Sequence, residues 1–127
     1  MNSGELIKYR YLRALETCEE AIILARENHW NTTANRLYYT CFYAVSALLL
    51  KKGFSISTHN GVKTEFHTSF VKSGIIPKQL GRTYSRLFNL RQEGDYMDFK
   101  RLEKEDIDPF FQEAKEFIAF ITTLINS

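Results

Sequence analysis

Residues 34–50 constrain this chain more than any other stretch. Ala34, Leu37, Cys41, Ala44 and Leu48 recur at steps of three and four along one seam of a helix, while Tyr39, Phe42, Tyr43 and Leu50 occupy the rest of its circumference. A helix that is apolar nearly all round has to be enclosed by other elements. The remaining sequence supplies helices for that purpose, with no pattern of a strand hairpin between them.

Upstream, Ser3 can cap a helix ending near Asn28, on which Tyr11, Leu15, Cys18, Ile22 and Ala25 draw an apolar seam. Asn31, Thr32 or Thr33 can cap the central helix, and Gly53 after Lys51 and Lys52 ends it. Ser57 or Thr58 caps a third helix with Val62, Phe66 and Phe70 on its inner face, closed by Gly74. Pro77 suits the first turn of a fourth, whose stripe of Leu80, Tyr84 and Leu87 runs until Gly94 breaks it. Residues 105–126 form a fifth, with Phe110, Ala114, Phe117, Ile121 and Leu124 facing inward; Pro109 is tolerable only in a first turn, so Asp106 or Asp108 can mark the true start. The pattern predicts an all-α fold, an antiparallel up-and-down bundle of four to five helices in a single domain over residues 1–127, with Cys18, Leu37, Cys41, Leu48, Phe117 and Ile121 buried.

Several functions drop out. The longest apolar run, residues 44–50, is interrupted by Ser46 and falls far short of the roughly 18 residues a membrane span needs. The first residues carry no apolar leader, so the cytoplasm is the expected location. Six glycines are scattered and form no phosphate loop, and no hydrolase elbow or Glu-x-x-His pair occurs. His59 and His67 stand about 12 Å apart along a helix, and neither cysteine has a partner at ligand spacing, so no metal site and no cofactor are expected.

Charge is more informative. Residues 1–50 are neutral, residues 51–91 carry a net +7 and the remainder −5, inside an overall +2. Lys78, Arg82 and Arg86 line one face of the fourth helix, either as a phosphate-facing stripe or as a solvated face. Four residues beyond Leu87 the inward stripe lands on Arg91, and a buried guanidinium needs partners. Asp95 or the tyrosine hydroxyls of the central helix can supply them. Arg36, Tyr39 and Tyr43 share a face of that helix, and His59 lines up with Val62 and Phe66. These residues read either as a polar network fixing helix register or as a groove for nucleotide or RNA.

Four blocks, NRLYYTCFYAVSALL (35–49), STHNGVK (57–63), FVKSGIIP (70–77) and LRQEGDY (90–96), together resemble the HEPN superfamily, in its small stand-alone prokaryotic branch. The resemblance implies a helical bundle, usually dimeric, often encoded beside a minimal nucleotidyltransferase in toxin–antitoxin pairs. Many such proteins are metal-independent ribonucleases with Arg, four to six residues, then His. Arg91 matches the arginine, but no histidine follows it, and Tyr96 stands in that place after Asp95. A tyrosine with a pKa near 10 is a poor acid–base group at neutral pH. The expectation is therefore a non-catalytic, homodimeric module that binds nucleotide or RNA through Arg36, Tyr39, Tyr43, His59, Arg91, Asp95 and Tyr96 and engages a nucleotidyltransferase. The alternative is a ribonuclease with a degenerate site, its acid–base group being Tyr96 or His59. His59 is expected to lie away from Arg91 and to anchor a loop. Some of Tyr9, Tyr11, Phe42, Phe88 and Phe99 are expected to cover a partner copy, because aromatics are 14% of a thin bundle.

Overall fold

The structure, a computed structural model, describes residues 2–127, and its regular elements are all helices, with no strand among the described residues. Helices α1 (Ser3–Arg26) and α2 (Trp30–Lys51) form an antiparallel hairpin; α3 (His59–Glu65) runs on as a π-helix (Phe66–Val71); α4 (Lys78–Tyr96) follows; α5 (Lys104–Ile107) and α6 (Pro109–Ile125) complete the bundle. Asp108 between the last two is itself helical in conformation, and Pro109 opens α6 where its missing N–H is not needed. The fifth helix expected from the sequence is thus a short helix and a long one meeting at Pro109.

α2 is the central element, packed against α1, α3, α4, α5 and α6. Leu37, Tyr38, Cys41, Ala44, Val45, Leu48 and Leu49 are buried on several of its faces, as an apolar circumference requires. All six residues expected in the core are buried. α1 approaches α2 through small side chains, Ala14, Thr17, Cys18 and Ala21, and the Thr17 and Thr40 hydroxyls meet across the contact at 3.0 Å.

That close approach rotates α1 away from the seam read from its sequence. Leu15 stays 38% exposed while Ala14 and Ala21 are fully buried, because large residues on the contact would hold the two axes apart. Other local assignments also shift. Asn2 caps α1, its Oδ1 accepting from Glu5 N at 2.8 Å, and Ser3 is the first helical residue. α2 starts at Trp30 after His29, which makes no side-chain cap; Thr33 turns its hydroxyl to His29 O, and Asn31 has other partners described below. Thr58 caps α3, accepting from Gly61 N at 3.0 Å. Gly94 does not end α4, which continues to Tyr96. The bare Cα there lets Leu102 and Asn31 press against the helix, and an added Cβ would stand 3.2 Å from Leu102 Cδ1. In the π-helix, Lys72 N donates to His67 O, one residue further back than in an α-helix.

Candidate functional site

Arg91 sits where the α4 stripe carries it, facing inward at 4% exposure. Its guanidinium lies over three rings, 4.8 Å from the centroid of Tyr38, 5.4 Å from Tyr96 and 5.9 Å from Phe88. Nη1 donates to Tyr96 Oη at 3.2 Å, and buried Nε has no hydrogen-bond partner among the described residues. Among the described residues no carboxylate pairs with Arg91; the two ion pairs are Arg13 with Glu16 and Arg36 with Glu20. Asp95, expected as a partner, instead accepts from Asn35 Nδ2 at 2.8 Å. Being exposed at the end of α4, its carboxylate points along the α2 surface rather than inward. Aromatic faces offset part of the cost of burying a cation, but they supply no anion.

His59 belongs to this cluster, contrary to the sequence expectation. The cap at Thr58 sets the first turn of α3 against α2, so the His59 ring reaches Tyr38 and Tyr39 rather than an outlying loop. Its Nδ1 is 2.7 Å from Tyr38 Oη and its Nε2 3.4 Å from Tyr39 Oη. Burial, and secondarily the charge of Arg91, lower its pKa below the ordinary histidine value, which favours a neutral imidazole at pH 7. Burial pushes the Tyr38 hydroxyl up to about 12, so it keeps its proton. Tyr84, beside Tyr38 and buried, is raised well above the ordinary tyrosine range for the same reason, and its hydroxyl has no hydrogen-bond partner among the described residues.

Arg36 stacks on Tyr39 at 5.2 Å, and Tyr39 contacts Tyr43 at 5.8 Å, so the expected face of α2 is assembled. Arg36 is nonetheless occupied, by Glu20 at 3.2 Å and by Asn35 Oδ1. Lys78, Arg82 and Arg86 are exposed and border an open groove beside His67 and Ser85. Among the described residues none of the three forms an ion pair, and Arg86 lies over the Phe110 ring at 4.7 Å.

Tyr38 and Phe88 were missed as site residues. Tyr38 is fully buried and links Arg91, His59 and Tyr84. The signal was its place four residues after Ala34 and three before Cys41, within the central seam. Phe88, expected at a partner surface, is only 6% exposed, since it packs on Tyr38 and carries Lys63 over its outer face. Tyr9 and Phe99 are exposed, as that expectation requires of surface aromatics, whereas Tyr11 and Phe42 are half-buried. Among the described residues no three His, Cys, Asp or Glu side chains converge as metal ligands, and no helix is long and apolar enough to cross a membrane.

The helical bundle is the fold that the four sequence blocks imply, and it places Arg91 inward near the end of the fourth helix without the carboxylate expected beside it. The chain belongs to the HEPN domain family, which matches residues 7–124. A UPF0332 protein of Thermotoga maritima is 40% identical over 99% of this chain and 96% of its own length. Two proteins of Methanocaldococcus jannaschii are also similar. "Putative toxin MJ0142" is 30% identical over 90% of this chain and 83% of its own, and "Putative toxin MJ0605" is 33% identical over 83% and 78%.

Proposed function

We propose that this chain is a binding module that takes the phosphate of a nucleotide or RNA at Arg91 and works as a homodimer beside a nucleotidyltransferase in a toxin–antitoxin-like pair. The observation that carries the reading is Arg91 itself: a buried cation with an unpartnered Nε and no carboxylate among the described residues. An incoming phosphate takes the place of Tyr96 Oη and accepts from Nη1 and Nη2, the end-on fork of the guanidinium, supplying the anion that the buried cation lacks. Tyr96, 70% exposed, is free to swing aside. Tyr39 and Tyr43 offer two phenols for the base or ribose, Arg36 adds a cation there only on leaving Glu20, and His59 offers a neutral ring nitrogen. The partnership with a nucleotidyltransferase follows from the family resemblance.

Calorimetric titration with AMP and with a short single-stranded RNA tests this. Arg91→Ala is expected to lower affinity by roughly tenfold or more, the loss of a charge-assisted pair of hydrogen bonds, and Arg91→Lys to recover only part of it. Equal affinity in the wild type and Arg91→Ala would remove the site.

One observation favours a second reading, ribonuclease activity: His59 stands across Tyr38 from Arg91 and is shifted toward its neutral form. A neutral imidazole can take the proton of a ribose 2′-OH as that oxygen attacks phosphorus, while the P–O5′ bond breaks and the 5′ oxygen leaves with a proton from water, with Arg91 on the phosphate oxygens. The two archaeal relatives are each named "Putative toxin", a role that RNA cleavage would serve. RNA cleavage without added metal that is lost in both His59→Ala and Arg91→Ala, with the fold intact, would replace the binding-only reading by this one.

A further inference from the structure

Between the turn joining α1 to α2 and the segment leaving α4 lies an open cavity of about 550 Å³, lined by His29, Trp30, Phe99, Lys100, Arg101 and Glu103 among others. Phe99 is fully exposed and sits at φ +62°, a left-handed conformation that a bulky side chain adopts only against its own sterics. Asn31 holds the segment in place. Its Nδ2 donates to Gly94 O and Lys100 O, both at 3.1 Å, and its Oδ1 accepts from Leu102 N at 2.8 Å. The fold gains no burial from a ring held out into water in this way. Lys100 and Arg101 follow at once, and Glu103, the carboxylate among these lining residues, stands at the N-cap of α5.

This ledge adjoins the Arg91 site. Tyr96, which accepts from Arg91, precedes Phe99 by three residues, a reach of at most about 10 Å. We infer that residues 97–103 form a base-stacking ledge, so that the ligand is a single-stranded nucleic acid holding one phosphate at Arg91 and the neighbouring base on Phe99. The inference rests on the Arg91 reading and deepens it by naming a strand rather than a free nucleotide. An aromatic face accepts any base, and the flanking cations take the backbone phosphates, the combination by which single strands are held without sequence preference.

The full chain is titrated with a fluorescent single-stranded RNA of about five nucleotides and, separately, with AMP. The wild type is expected to bind the RNA more tightly than AMP. Phe99→Ala weakens RNA binding by about tenfold and leaves AMP unchanged, while Phe99→Trp restores it. Phe99→Gly relieves the left-handed residue, so its unfolding midpoint is unchanged or higher while RNA affinity falls, a pairing that a merely structural Phe99 would not produce. If Arg91→Ala loses RNA and Phe99→Ala does not, the ledge is overturned and the Arg91 reading stands. If Phe99→Ala alone loses RNA, the ledge stands and the Arg91 reading falls. RNA binding that neither change affects overturns both. Phe99→Ala that leaves RNA affinity intact but changes the sedimentation coefficient assigns Phe99 to a protein contact and overturns the ledge.

Discussion

Arg91 and the two inward-facing histidines carry opposite lessons about burial. Removing the Arg91 charge while keeping its bulk removes an uncompensated desolvation cost. Arg91→Met is therefore expected to raise stability by about 1–3 kcal/mol in urea unfolding even as ligand binding is lost. A lower midpoint would mean that the Tyr38, Phe88 and Tyr96 rings already balance the charge. His59 and His67 both have pKa values lowered, chiefly by burial, so the unfolded chain binds the protons that the folded chain refuses. Their contribution is complete above the unfolded value near 6.5 and is lost as the pH falls from there through their folded values. Stability measured from pH 7.5 down to pH 5 should drop in that window, and His59→Gln with His67→Gln should flatten the drop.

At the level of elements, α2 and α4 were legible because their inner faces obey a helical period, and that period alone carried Arg91 inward. The seam on α1 was misplaced because periodicity marks large apolar residues, whereas contact with α2 selects small ones: Ala14, Thr17 and Ala21 are buried and Leu15 is not. His59 was misplaced because no local signal states which partner the start of a short helix meets. That depends on how α3 docks on Tyr38, a contact between residues 21 apart in the chain. The π-helical turn beneath it had no sequence signature either. Asn31 fastens α2 to the last turn of α4 and to the segment that follows it, and Asn31→Ala should cost about 1–3 kcal/mol, because it leaves a backbone N–H and two carbonyls to find new partners. Amide exchange at Leu102 should accelerate in that variant more than at the core of α4. Unchanged protection at Leu102 would show that the segment is held by other contacts.

For the molecule as a whole, the outer surface of α1 bears on assembly. Tyr9, Leu12, Leu15 and Ile23 remain exposed along it, an apolar surface of the kind that copies of a chain cover for one another. Light scattering at micromolar concentration should report a dimer, and a monomer there would count against the homodimeric module. Binding of single-stranded RNA should weaken steeply with salt, and changing Lys78, Arg82 and Arg86 together to Ala should reduce the logarithmic salt slope by about 2 if all three meet phosphates. An unchanged slope would assign that stripe to solvent. The uncompensated charge beneath the tyrosines also bears on how long the chain survives in a cell. A ligand that fills the site at a hundred times its dissociation constant adds about 2.7 kcal/mol to the folded state, a large share of an ordinary domain's margin. When the ligand becomes scarce, that margin shrinks, more chains open, and proteases remove them. The standing amount of this protein should therefore follow the supply of what it binds, a form of control that needs no change in its synthesis.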